Sequence, residues 1–151
     1  MAANMVDPFP IIAGIIATLA MTLFAKATFA VLRRPYNILR ILGNMLLFEP
    51  YTVVRQPPPP TARTLATFVH YAIGVLFAWA YQQFVINNND DRILDTVVFG
   101  IIIALVAIVG WRLLFFVHPA PPGIDLKTYL LVIALGHFVL TACLYLIYAF
   151  V

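Results

Sequence analysis

The chain has 151 residues, of which 64% are hydrophobic and 10% charged, and it carries a formal net charge of +3. A soluble domain carries about 25% charged residues, so there is too little polar side-chain surface here to coat a water-soluble globule. In a chain this apolar the basic excess reports membrane topology rather than nucleic-acid binding.

The N-terminal MAANMVDPFP lacks the basic stretch of a secretory signal, so the first apolar run is expected to be a retained helix. Asp7 and the prolines after it suit a helix entry, since a carboxylate favours the positive end of the helix dipole and proline is tolerated in a first turn. The first span is expected over about residues 10–32. Small residues recur along it at helical spacing, Ala13, Ala17 and Ala20 on one side and Gly14, Thr18 and Met21 beside them. Such stripes let helices approach closely in lipid. Lys26, near the end of this span, can lay its stem in lipid and lift its ammonium to the interface.

Arg33-Arg34-Pro35 closes the span. Residues 36–49 then read as an amphipathic helix with Asn37, Arg40 and Asn44 on one face. At about 21 Å it is too short to cross a bilayer, so it is expected to lie in the interface, with a re-entrant placement as the competing reading. A linker follows over residues 50–63, stiffened by Pro57–Pro60. The second span is expected over residues 64–86, with Trp79 and Tyr81 toward an interface. The third is expected over 95–117, where Gly100, Ala104, Ala107 and Trp111 form a close-packing stripe, and the fourth over 126–150. The polar cluster Asn87–Asp90 and the proline-rich stretch from His118 to Gly123 separate them. Cys143 sits inside the last run, where one thiol makes neither an intrachain disulfide nor a metal site and packs as a small apolar residue.

The fold expected is therefore an all-α membrane protein, a single domain of four transmembrane helices plus one short interfacial amphipathic helix after the first span. An internal repeat is also expected. His70 precedes Tyr81 by 11 positions, and His137 precedes Tyr148 by the same number. Eleven residues are close to three helical turns, so each His and Tyr share a face. An offset of 67 also sets Gly74 against Thr141, and Gly14 aligns loosely with Gly100. The chain then reads as two repeated helix pairs.

Gly14-x3-Thr18-x2-Met21, the Leu42-Gly43 pair inside a short amphipathic helix and the paired His…Tyr helices resemble the YagU-like group of small multi-pass bacterial inner-membrane proteins. The chain differs from that group in its proline linker and in carrying Thr141 where a glycine is expected. The biochemical activity of that group is not established, so the resemblance implies a fold and a bacterial inner-membrane location and carries over no catalytic residue.

Three function classes follow. The first is a non-enzymatic structural or accessory role in the bilayer, as a homo-oligomer or beside other membrane subunits, because small-residue stripes favour helix assembly. The second is a haem- or quinone-associated electron-transfer subunit, with His70 and His137 as axial ligands of a b-type haem if they converge; otherwise they are polar ties between helices. His118, beside the prolines, is expected at the interface. The third is a small pore or carrier, although no Asp or Glu falls in mid-span to couple protons. No catalytic triad, phosphate loop or HExxH motif is present. Arg33, Arg34 and Arg40 are expected to contact anionic lipid headgroups.

Basic residues are concentrated in the first connection, with Lys127 in the third, whereas the second is acidic. By the positive-inside rule the first and third connections face the cytoplasm and both termini lie on the opposite side. Reporter fusions at Val151 and in the Asn87–Asp90 loop should report the non-cytoplasmic side; a cytoplasmic signal from either would overturn this topology.

Overall fold

The computed structural model describes residues 8–48, 59–87 and 91–150. Asp7, the linker through Pro58 and Asn88–Asp90 lie outside them. The described chain forms α1 (Phe9–Val31), α2 (Ile38–Leu46), α3 (Pro60–Tyr81), α4 (Arg92–Val117) and α5 (Leu126–Ala149), and a π-helical turn, Gln82–Ile86, continues α3. Helices α1, α3, α4 and α5 are long and apolar enough to cross a membrane. At 1.5 Å per residue they run roughly 33–39 Å, against about 30 Å of hydrocarbon. This is an integral membrane protein with one additional short amphipathic helix.

The helix ends have local causes. Asn37 caps α2 by accepting the Arg40 N–H (3.0 Å), and Asp91 caps α4 by accepting from Ile93 and Leu94 (3.0 and 3.1 Å). The Asp91 cap explains why α4 begins before the expected residue 95. Helix α3 begins at Pro60 rather than 64, because a proline in the first turn lacks only an N–H that would have had no partner within the helix. Helix α1 ends in two backbone bonds, Arg34 N–H to the Phe29 carbonyl (2.9 Å) and Arg33 N–H to the Ala30 carbonyl (3.1 Å). That closure usually holds a glycine; here Arg33 takes the left-handed conformation, with φ 52°.

Helix α1 is the axis of the bundle. It packs against α3 on one side and α5 on the other; α4 packs on α5, and α2 on α3. Successive spans are antiparallel. Phe9 at the start of α1 meets Tyr148 at the end of α5, and Arg34 at the other end of α1 meets Asp125 at the start of α5. The small-residue stripes make these approaches. Ala13, Gly14, Ala17 and Thr18 are buried. A β-carbon on Gly14 would stand 2.6 Å from the Val75 backbone, and one on Gly74 would strike the Thr18 side chain. On the other side of the bundle, Gly100 of α4 faces Thr141 and Phe138 of α5. Gly14, Thr18 and Gly100, from the stripes expected to serve assembly, are thus occupied within the chain itself. Outer faces such as Ile15, Leu23, Ile101 and Leu105 are exposed and apolar, as a lipid-facing surface requires.

The seam between α3 and α4 is different. The two helices meet at one end only, where the π turn packs on α4. There the Thr96 hydroxyl donates to the Arg92 carbonyl (2.6 Å), so Tyr81 donates its own hydroxyl to Thr96 Oγ1 (2.8 Å). Tyr81 is fully buried, whereas Trp79 faces outward. The expectation that Tyr81 belongs to an interface therefore fails, since Tyr81 lies on the opposite, inward side of the helix. Helix α2 also differs from its expected pattern. Asn44 is buried rather than on a polar face, because Gly43 seats the helix against the Ala62 carbonyl of α3.

Two glycine substitutions should move stability in opposite directions. Gly14→Ala forces a β-carbon into backbone and should cost about 1–3 kcal/mol. Gly110→Ala meets no atom within 4 Å and should gain roughly 0.5–1 kcal/mol through helix propensity. Unfolding in mild detergent, followed by circular dichroism, reads both.

Candidate functional site: a cavity in the open seam

The core consists of two buried clusters. One surrounds Tyr81, Phe99, Leu144 and Tyr148 near the π turn; the other surrounds Phe29, Ile41, Met45 and Tyr129 at the opposite end. Between them, where α3 and α4 diverge, lies a cavity of about 220 Å³. Helix α3 contributes His70, Gly74 and Phe77 to its wall, and α5 contributes Ile133, His137 and Leu140. Helix α4 adds Val106, Gly110 and Trp111, while Met21 of α1 and Ile38 and Leu42 of α2 complete it.

The cavity opens sideways, toward lipid. Ile73 and Val106, which line it from α3 and α4, are 44% and 54% exposed. Gly110 stands beside them with open space where its side chain would be. The stripe read from Gly100 to Trp111 thus divides in two. Gly100 and Ala104 are buried in the packed half, and Ala107 and Trp111 form cavity wall.

The two histidines come together on this cavity. Each lies about 15–17 Å from the start of its helix, and α3 and α5 start at the same end. The Phe77 ring meets the His137 ring edge-on at 5.9 Å. Hydrogen bonding fixes the protons. His137 Nδ1 lies 2.8 Å from the Ile133 carbonyl, which can only accept, so Nδ1 carries the hydrogen and Nε2 keeps a lone pair. The Thr22 hydroxyl donates to the Thr18 carbonyl (2.7 Å), so the 2.9 Å contact between Thr22 Oγ1 and His70 Nε2 is donated by the imidazole. His70 Nδ1 is then the bare acceptor. Both donors are spent on the protein, and both acceptors remain.

The other expected site residues lie elsewhere. Arg33 and Arg34 are exposed at the end of α1, and Arg40 is half-buried on α2. They share one end of the bundle, that of α2 and the start of α5, but not the cavity. Arg34 pairs with Asp125 at 3.4 Å, both groups remaining partly exposed. Tyr36 accepts the Asp125 N–H (2.9 Å) and packs against Phe29 and Tyr129, tying α1, α2 and α5 at one point. His118 stands at its helix end as expected, but it is buried beneath the Phe48 ring, stacked at 5.6 Å. Among the described residues no group of three or more His, Cys, Asp or Glu could hold a metal.

Comparison with protein-family models, with curated proteins and with solved structures found no match.

Sequence spacing found the histidines and their common face. It missed Thr22, which binds His70 across 48 positions, and it missed Gly110, whose signal was a glycine alone in a helix interior.

Asp125 generates a pH dependence. The Thr128 hydroxyl and N–H hold its carboxyl below the usual carboxylate range against opposing desolvation, with help from Arg34. A depressed carboxyl contributes stability above its unfolded pKa of about 3.9 and loses it as pH falls through the folded value. Thermal unfolding should therefore show this contribution constant from neutrality to about pH 5 and lost below about pH 4. Asp125→Asn, which keeps a capping oxygen, should be less stable at neutral pH and flatter on acidification.

Proposed function

We propose that this protein is a non-enzymatic accessory membrane protein that holds a small apolar molecule drawn sideways from the bilayer. The observation that carries the reading is the cavity in the open α3–α4 seam, about halfway along the helices and lined by two imidazoles in apolar surroundings. Ligand sites of this kind are mostly apolar, with a few polar groups that orient the guest. Assembly with a second copy or with other membrane subunits belongs to the same proposal, through the outward leucines, isoleucines and valines. So do the bacterial inner membrane, the kinship with the YagU-like group, headgroup contacts by Arg33, Arg34 and Arg40, and a cytoplasmic face at the basic end. The repeat is supported by like contacts at aligned positions: Gly14 meets α3 at Gly74 as Gly100 meets α5 at Thr141, and Tyr81 meets Tyr148 at 5.6 Å.

A second reading, a b-type haem held by His70 and His137, has one observation in its favour. The His137 Nδ1–H bond to a backbone carbonyl is the arrangement that orients metal-binding imidazoles. Against it, His70 Nε2 is committed to Thr22, and about 220 Å³ is below the roughly 300–1,000 Å³ of sites for drug-sized ligands.

One preparation tests both readings. Protein extracted in mild detergent should carry an apolar adduct in native mass spectrometry, and Gly110→Phe, which fills the mouth, should lose it. A wild-type protein without adduct would overturn the ligand-holding reading. A Soret band in the same sample, abolished by His137→Leu, would replace it with the haem reading.

A further inference from the structure

The chemistry of the cavity wall also specifies its guest, an inference that rests on reading the cavity as a ligand site. A neutral imidazole has one donor and one acceptor. His137 spends its donor on the Ile133 carbonyl and His70 spends its donor on Thr22. Neither proton is readily recovered. The Thr22 hydroxyl is itself committed to Thr18, and the Ile133 carbonyl can only accept. The wall therefore offers two nitrogen lone pairs to the guest, in a medium without water. A guest whose polar atoms only accept would set lone pair against lone pair, and buried acceptors left unpaired are costly.

Size and shape narrow the guest further. A cavity of about 150 Å³ holds one benzene, so about 220 Å³ suits a single substituted six-membered ring. Phe77 and Trp111 supply aromatic wall from α3 and α4. Gly110 has no packing partner to explain it and leaves the wall open toward lipid. In mid-helix a glycine is less stable than alanine, a cost that keeping a passage clear accounts for.

We propose that the cavity is a binding site for a phenolic ring of the hydroquinone type, entering from the bilayer past Gly110, and that it favours the hydroquinone over the corresponding quinone. The two forms share one shape and differ in their hydroxyl hydrogens, so the wall's unpaired acceptors are what separates them. Two hydrogen bonds of the strength usual within membrane proteins set the expected preference at about tenfold. A tenfold preference for the reduced form raises the midpoint potential of the bound two-electron couple by about 30 mV.

The chain has two tryptophans, and Trp79 faces outward, so Trp79→Phe leaves Trp111 as the sole reporter without touching the cavity. Its fluorescence is titrated in nanodiscs with tetramethylhydroquinone under reducing, anaerobic conditions, and separately with tetramethyl-1,4-benzoquinone. The expected result is saturable quenching with the hydroquinone midpoint about tenfold lower. His70→Leu and His137→Leu should each shrink that ratio toward one. Gly110→Phe should abolish saturation by both probes while thermal unfolding stays intact, which guards against histidine variants that fail to fold. Equal midpoints, or tighter quinone binding, would overturn the donor-ring inference and leave the ligand-holding reading standing. Saturable binding of neither probe to a protein that still carries an apolar adduct would overturn the inference alone. The same result with no adduct would overturn both.

Discussion

The architecture depends on one close approach. Helix α1 lies against α3 with Gly14 on the Gly74–Val75 backbone and Thr18 filling the space a Gly74 side chain would take. In lipid there is little hydrophobic driving force between helices, so association rests on van der Waals contact and on polar ties. Backbone-level contact at Gly14 and Thr18 leaves the adjacent side of the same buried face, which carries Ala13, Ala17 and Met21, to receive α5. Met21 touches the position of Gly136 there. Two neighbours on one central helix fix where His70 and His137 stand, because each is carried by one of those neighbours.

The same arrangement leaves α3 and α4 on opposite flanks of the bundle with little to hold them together. They are joined at Tyr81, through a buried hydroxyl pair with Thr96, and by the π turn that follows it. Helix α2 covers the other end, its Ile38 and Leu42 reaching the cavity. The space between is an outcome of the packing order α2–α3–α1–α5–α4, and its polarity is set by two helices that each bring one imidazole. The tie between helices anticipated from the histidines is made by His70, which bonds Thr22 of α1, whereas His137 bonds Ile133 within its own helix.

The helices, their ends and the face shared by His70 and Tyr81 were legible because they depend on local order: apolar runs, Asx residues before helices, and an 11-residue interval near three turns. The convergence of the histidines was legible only as a condition. The rest depends on pairings that sequence order does not contain. Asn44 reads as part of a polar stripe, yet Gly43 docks its helix on α3 and carries Asn44 inward. His118 reads as an interfacial residue among prolines, yet Phe48, held in the left-handed region at φ 54°, lays its ring over it. Gly110 reads like the small residues around it, yet it is the one that packs against nothing.

The π turn has a mechanical consequence. It loosens the winding where α3 meets α4, and turns of this kind are frequent at functional sites. Before the turn α3 is held against α1 by Gly74 and by the His70–Thr22 bond, so the cavity wall it carries is fixed to α1 rather than to α4. The turn is where the same chain comes across to meet α4. The seam is thus closed from one end by a local change of winding, and the cavity lies where that closure has not reached.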